Sequence, residues 1–120
     1  MARRPVVLLI GSMYDRAGED FLAQHVVVRP LREPTEEVIR EAIKGASGAW
    51  VRYPVRLSSE AIRQGGRLAV ISTSGRGTDA IDILAATEQG IAVVNNPGLG
   101  TIPVSEHTLG LMLDLAKMVS

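Results

Sequence analysis

Residues 68–94 read LAVISTSGRGTDAIDILAATEQGIAVV. Leu68-Ala69-Val70-Ile71 is an apolar run of strand length, and Ile81 to Gln89 has helical spacing closed by Gly90. Ile91 to Val94 is a second short apolar run, so the stretch is a strand, a loop, a helix and a strand. Two strands joined through a helix run parallel, and a parallel sheet must be covered by helices to bury its strands.

The same unit recurs towards the amino terminus. Val6 to Ile10 is continuously apolar, as expected of a strand buried on both faces, and Asp15 to Gln24 carries Ala17, Phe21 and Leu22 on one helical face. Val26-Val27-Val28 is a second strand, with Pro30 and Pro34 confining the link after it. Thr35 is placed to cap a helix whose first turn holds Glu36 and Glu37 and whose inner face is Val38, Ile39, Ala42 and Ile43. Ala49-Trp50-Val51 is a third strand, and Ser58 or Ser59 caps a brief helix closed by Gly65-Gly66. The class is therefore α/β, with five parallel strands in one domain spanning residues 1–120. A last helix, with Thr101 as its cap and Pro103 in its first turn, continues to the end of the sequence. Val104, Leu109, Leu111, Met112, Leu113, Leu115, Ala116, Met118 and Val119 lie around more than one face of it, so a second domain or another subunit is expected to pack there.

Composition narrows the function classes. Thirteen basic residues balance thirteen acidic ones and aromatics are 3% of the chain, which leaves neither field nor stacking surface for nucleic acid. With no cysteine, disulfides, thiolate chemistry and a cysteine zinc site are out, and a cytoplasmic location is expected. The apolar run after Arg3-Arg4 is too short for a signal sequence, and nothing approaches the roughly 20 apolar residues of a membrane span. His25 and His107 have no accompanying ligand cluster, so no metal site is expected.

Ligands of open parallel sheets gather at the carboxyl ends of the strands. Three loops qualify: Arg52-Tyr53-Pro54, Ser72 to Asp79, and Asn95 to Gly100. Ser74-Gly75-Arg76-Gly77 could turn unobstructed backbone N–H groups toward a carboxylate; the competing reading is a tight turn whose glycines merely accept positive φ. Arg52 either clamps an anion or is a solvated surface arginine. Asn95 to Gly100 fails as a dinucleotide fingerprint, since Pro103 stands at the third glycine position, and no Walker-type loop occurs. Ser105-Glu106-His107 are helix neighbours that do not face one another, which argues against a catalytic dyad.

From Val51 onward the sequence resembles the amino-terminal domain of the D-isomer-specific 2-hydroxyacid dehydrogenases. Gly75-Arg76-Gly77-Thr78-Asp79-Ala80-Ile81-Asp82 is similar to that family's G-x-G-x-D-x-x-D loop, Ala85 to Gly98 continues it without a gap, and Val104-Ser105-Glu106-His107-Thr108 is similar to its valine-alanine-glutamate-histidine helix start. The resemblance implies a flavodoxin-like three-layer domain, a five-stranded parallel sheet with a long carboxy-terminal helix. It implies substrate binding by Arg52 and by Ser74, Gly75, Arg76 and Gly77, with Val104 near the nicotinamide. It further implies an oxidoreductase of the phosphoglycerate dehydrogenase kind, acting on a small 2-hydroxy or 2-keto acid with NAD or NADP. The nucleotide-binding domain and the family's catalytic arginine, glutamate and histidine would lie beyond this sequence. The chain alone is then expected to be non-catalytic and to hold no cofactor firmly, with a homodimer or the cofactor domain covering the last helix. The alternative is a stand-alone flavodoxin-like binding or dimerisation module. Thr73, Arg76, Ala80 and Gly100 depart from the residues common in the family, so the resemblance leaves the acid unspecified.

Overall fold

A computed structural model describes residues 3–118 of the chain. Among the described residues five strands and five helices alternate strictly: β1 (Val6–Ile10), α1 (Arg16–Ala23), β2 (Val27–Leu31), α2 (Glu36–Ile43), β3 (Gly48–Val51), α3 (Ser59–Gln64), β4 (Val70–Thr73), α4 (Ile83–Glu88), β5 (Ala92–Val94) and α5 (Thr101–Lys117). All pairings are parallel and the spatial order is β2-β1-β3-β4-β5, the flavodoxin-like order expected. The chain reverses direction across the sheet between β1 and β3, and the crevice that this opens lies at their carboxyl ends.

Register divides the strand residues between two faces. Leu8, Ala49 and Ile71 align on one face, as do Ile10, Val51 and Thr73, and these side chains are buried. Against them pack Ile39 and Ile43 of α2, Ala61 and Ile62 of α3, and Ala85 and Ala86 of α4, forming one contiguous core. The opposite face carries Val7, Gly48, Val70 and Ala92 in one row and Leu9, Trp50, Ser72 and Val94 in the next. Its cover is α1, which has no buried residue, and an apolar groove of about 330 Å³ runs between Phe21 and Leu22 of α1 and Val7, Trp50 and Val70 of the sheet.

Side-chain caps start four of the helices. Asp15 accepts from Ala17 N at 2.8 Å, Thr35 from Val38 N at 3.3 Å, Ser58 from Ala61 N at 3.1 Å and Asp82 from Ala85 N at 2.9 Å. The start of α5 differs from expectation: Thr101 lies within the helix, and Gly100 precedes it with no side-chain cap. Pro30 is another correction, because it lies inside β2 rather than in the link after it. Since β2 is an edge strand, a proline without an N–H can be placed where no neighbour needs the donor.

No residue of α5 is buried, and the apolar side chains stand out all round the helix, with Leu115 79% exposed. A helix of that length spans about 25 Å. Val119, assigned to the same helix from the sequence, lies outside the described residues. Among the described residues no helix is long and apolar enough to cross a membrane.

Candidate functional site

The carboxyl ends of β1, β3 and β4 converge on one hollow. Gly11 ends β1 at φ +98°, a conformation glycine adopts without strain, and a Cβ there would lie 3.0 Å from the Cβ of Arg52. That close approach sets Arg52 directly beside the turn that leads from β1 into α1. Its Nη1 donates to the carbonyl and hydroxyl oxygens of Ser12 at 3.1 and 3.4 Å, and its guanidinium lies 4.0 Å from the centre of the Tyr14 ring. A guanidinium stacked on an aromatic ring is held in one plane while its remaining N–H groups stay free to donate.

The hollow itself, about 280 Å³, is lined by Tyr14, Tyr53, Thr73, Ser74, Gly75, Gly77, Asp79 and Ala80. Neither Gly75 nor Gly77 has positive φ, so the competing reading of this loop, as a turn that needs glycine's left-handed freedom, loses its basis. A Cβ on Gly75 would meet nothing within 4 Å, whereas one on Gly77 would lie 3.1 Å from a carboxylate oxygen of Asp79.

Hydrogen bonding within the loop is one-sided. The carbonyls of Ser74 and Arg76 accept from the side-chain amides of Asn96 and Asn95 at 3.1 and 2.7 Å, and the carbonyl of Gly75 accepts from the backbone N–H of Asn96 at 2.9 Å. Three acceptors are thus tied to the segment after β5. By contrast, no N–H from Gly75 to Asp79 donates to another group among the described residues. Such a loop is pinned by its acceptors and keeps its donors for something else, the arrangement expected of an anion cradle.

The residues singled out from sequence fall into two places. Ser74, Gly75 and Gly77 line the first hollow, and Arg52 stands at its rim, stacked on the lining residue Tyr14. Arg76 points elsewhere: with Gly98, Gly100, Thr101, Val104 and Ser105 it lines a second hollow of about 350 Å³ at the start of α5. Arg76 and Val104 therefore share one wall, apart from the other loop residues. Tyr14 went unnoticed in the sequence; its signal was an aromatic just before a helix cap, in a chain with two tyrosines, one phenylalanine and one tryptophan. The sequence places Asn95 and Asn96 in a loop, and nothing in a linear sequence shows which carbonyls an asparagine reaches.

No group of three or more potential metal ligands is clustered among the described residues. Among the described residues the one resolved pKa shift belongs to Glu60, which does not itself line the hollow: its carboxyl is held below its ordinary value, first by a backbone hydrogen bond and then by the Ser59 hydroxyl.

The chain matches the family model for the catalytic domain of D-isomer-specific 2-hydroxyacid dehydrogenases over residues 7–115. It is 33% identical over 112 residues to the D-3-phosphoglycerate dehydrogenase of Synechocystis sp., an alignment covering 93% of this chain and 20% of that protein. Among solved structures, the PH0520 protein of Pyrococcus horikoshii superposes with a TM-score of 0.82 at 30% identity, covering 97% of this chain and 34% of that one. The NAD+-bound 3-phosphoglycerate dehydrogenase of Entamoeba histolytica gives a TM-score of 0.75 at 28% identity, covering 92% of this chain and 39% of that one. The chain thus spans about a fifth of the Synechocystis relative and between about a third and two fifths of these structures. By sequence match and by fold, it belongs to the D-isomer-specific 2-hydroxyacid dehydrogenase family.

Proposed function

We propose that residues 1–120 form the substrate-binding domain of an NAD- or NADP-dependent dehydrogenase acting on a small D-2-hydroxy acid or the matching 2-keto acid, of the phosphoglycerate dehydrogenase kind. The acid's carboxylate takes the unpaired amides of Gly75, Arg76 and Gly77, with the Ser74 hydroxyl beside them, and the Arg52 guanidinium supplies the opposing charge from the rim. The observation that carries this reading is the one-sided loop, whose carbonyls are tied down by Asn95 and Asn96 while its N–H groups have no acceptor among the described residues. The Entamoeba relative is NAD+-bound, which supports a nicotinamide cofactor here.

For that cofactor, the residues present suit one end only. The hollow at Val104 offers an apolar wall, small residues and the Arg76 cation, which fit a nicotinamide ring and a nearby polar or anionic group. The G-x-G-x-x-G donors that hold a pyrophosphate are missing from the sequence. A nicotinamide held there would supply or accept the hydride at the acid's C2. Binding and orienting the acid is the part assigned to this chain, which is non-catalytic alone because the rest of the reacting constellation belongs to a second domain. That domain, or a second copy of the chain, covers α5. A cytoplasmic setting completes the reading.

Two substitutions test it in the intact dehydrogenase by calorimetric titration with the acid. Arg52→Ala removes a charge-assisted contact of about 1.5–3 kcal/mol, so affinity is expected to fall about ten- to a hundredfold. Gly75→Ala puts a methyl into open space, so the melting temperature should hold while acid binding weakens through crowding of the adjacent amides. Unchanged affinity in both variants would remove the acid from this loop.

A further inference from the structure

A further hollow lies at the other end of the sheet. About 560 Å³ in volume, it is lined by Arg3, Arg4, Pro5, Val6, Arg29, Gly45, Ser47 and Arg67. Val6 opens β1, Ser47 directly precedes β3, and Arg67 precedes β4, so this is the amino edge, opposite the carboxyl ends that form the acid site. Four arginines line one hollow in a chain whose formal net charge is zero, and among the described residues no carboxylate lines it.

The ordinary explanations for such arginines fall short. Among the described residues none of the four is ion-paired; the salt bridges there use Arg16, Arg40, Lys44 and Arg63. Arg4 is partly accounted for, since its Nη2 donates to the carbonyls of Gln24 at 2.6 Å and Ala23 at 3.4 Å, closing the end of α1. The carboxyl end of α2 at Ile43 also lies close by, two residues before Gly45. Each helix end contributes only about half a negative charge. Two such ends offset about one of four positive charges, leaving an uncompensated excess of about three.

We infer that this amino-edge hollow is a binding site for a small polyanion bearing two linked phosphate groups, separate from the acid site. Guanidinium forks match phosphate oxygens two at a time, and a single phosphate would leave most of the four unused. The volume is in the range of small-molecule sites. No aromatic side chain lines the hollow, so recognition rests on the phosphates and not on a stacked base. Ser47 adds a neutral polar residue to the lining.

The test is equilibrium titration of the intact protein with inorganic pyrophosphate at fixed ionic strength. Saturable binding is expected, at least tenfold weaker in the double variant Arg29→Ser/Arg67→Ser and unchanged in Arg56→Ser, an exposed arginine outside the hollow. A second double variant, Arg29→Lys/Arg67→Lys, keeps the charge and loses the forks, and should fall between wild type and the serine pair; it serves if the serine pair unfolds. Excess 2-hydroxy acid should not displace the pyrophosphate. Non-saturable binding, equal affinity in all variants, displacement by the acid, or tighter binding of a short DNA duplex than of pyrophosphate would each overturn the inference.

Discussion

Val70 and Ile71 are neighbours in one strand, both β-branched and apolar, yet Val70 is 38% exposed and Ile71 0%. The difference comes from the helix layers on the two sides of the sheet. On the side of Ile71, α2, α3 and α4 place Ile39, Ile43, Ala61, Ile62, Ala85 and Ala86 against the strands. On the side of Val70, α1 spreads over part of the face, and Val94 at the far strand is 49% exposed. A continuous apolar strand therefore states that both faces are meant to be covered; it does not state that the cover lies within the same 120 residues.

The sharpest way to break this comparison is to truncate both neighbours. Ile71→Ala should cost about 2–5 kcal/mol, as for other fully buried large aliphatics. Val70→Ala removes less, and from a side chain already in partial contact with water, so about 1 kcal/mol or below is expected. Urea unfolding monitored by circular dichroism measures both. Equal costs would mean that the Val70 face is covered in solution.

The two faces also explain how much of the fold could be read in advance. Class, strand count and the parallel order of elements came from alternating apolar runs, because burial on a sheet demands them. Boundaries shifted where burial and strand hydrogen bonding part company. Leu68 is buried and looked like strand, but β4 begins at Val70 and takes in Thr73, a polar residue at 4% exposure. Ile81 looked helical and is instead bridged to Leu57, with Asp82 capping α4 after it. In the candidate site, glycine spacing marked the loop. The separation of Arg76 from Gly75 and Gly77 was illegible, because it depends on how Asn95 and Asn96 hold the loop's carbonyls across a turn of the chain.

A second experiment, of intermediate size, uses α5 against the open face. Both present apolar side chains to water, and Trp50, the single tryptophan, is half-buried on that face. The chain of 120 residues is expected to self-associate, which light scattering would register as a mass above 12.8 kDa. Leu115→Asp should weaken that association, with a loss of the order of the 1.5–3 kcal/mol carried by one buried leucine. If the covering element is a neighbour's α5 on the open face, Trp50 emission shifts to the red on dilution. A mass held at one chain across high concentrations would remove self-association, leaving a second domain to cover the helix.

The smallest effect separates the helices that start from aspartate caps on the two sides of the sheet. Asp82 accepts from Ala85 N at 2.9 Å in a partly buried setting, and α4 contributes Ala85 and Ala86 to the core. Asp15 accepts from Ala17 N at a similar 2.8 Å, but the bond is exposed and α1 has no buried residue. Cap geometry alone predicts the same loss of about 1 kcal/mol for either change to alanine. Coupling to the rest of the fold predicts otherwise, since a helix anchored in the core frays only when the core opens, whereas α1 can open by itself. Asp82→Ala should therefore lower global stability by about 1 kcal/mol, while Asp15→Ala speeds amide exchange within residues 16–23 and leaves the global midpoint nearly unchanged. Equal shifts in the midpoint would mean that α1 is as firmly held as α4, and that the asymmetry between the two faces does not extend to their stability.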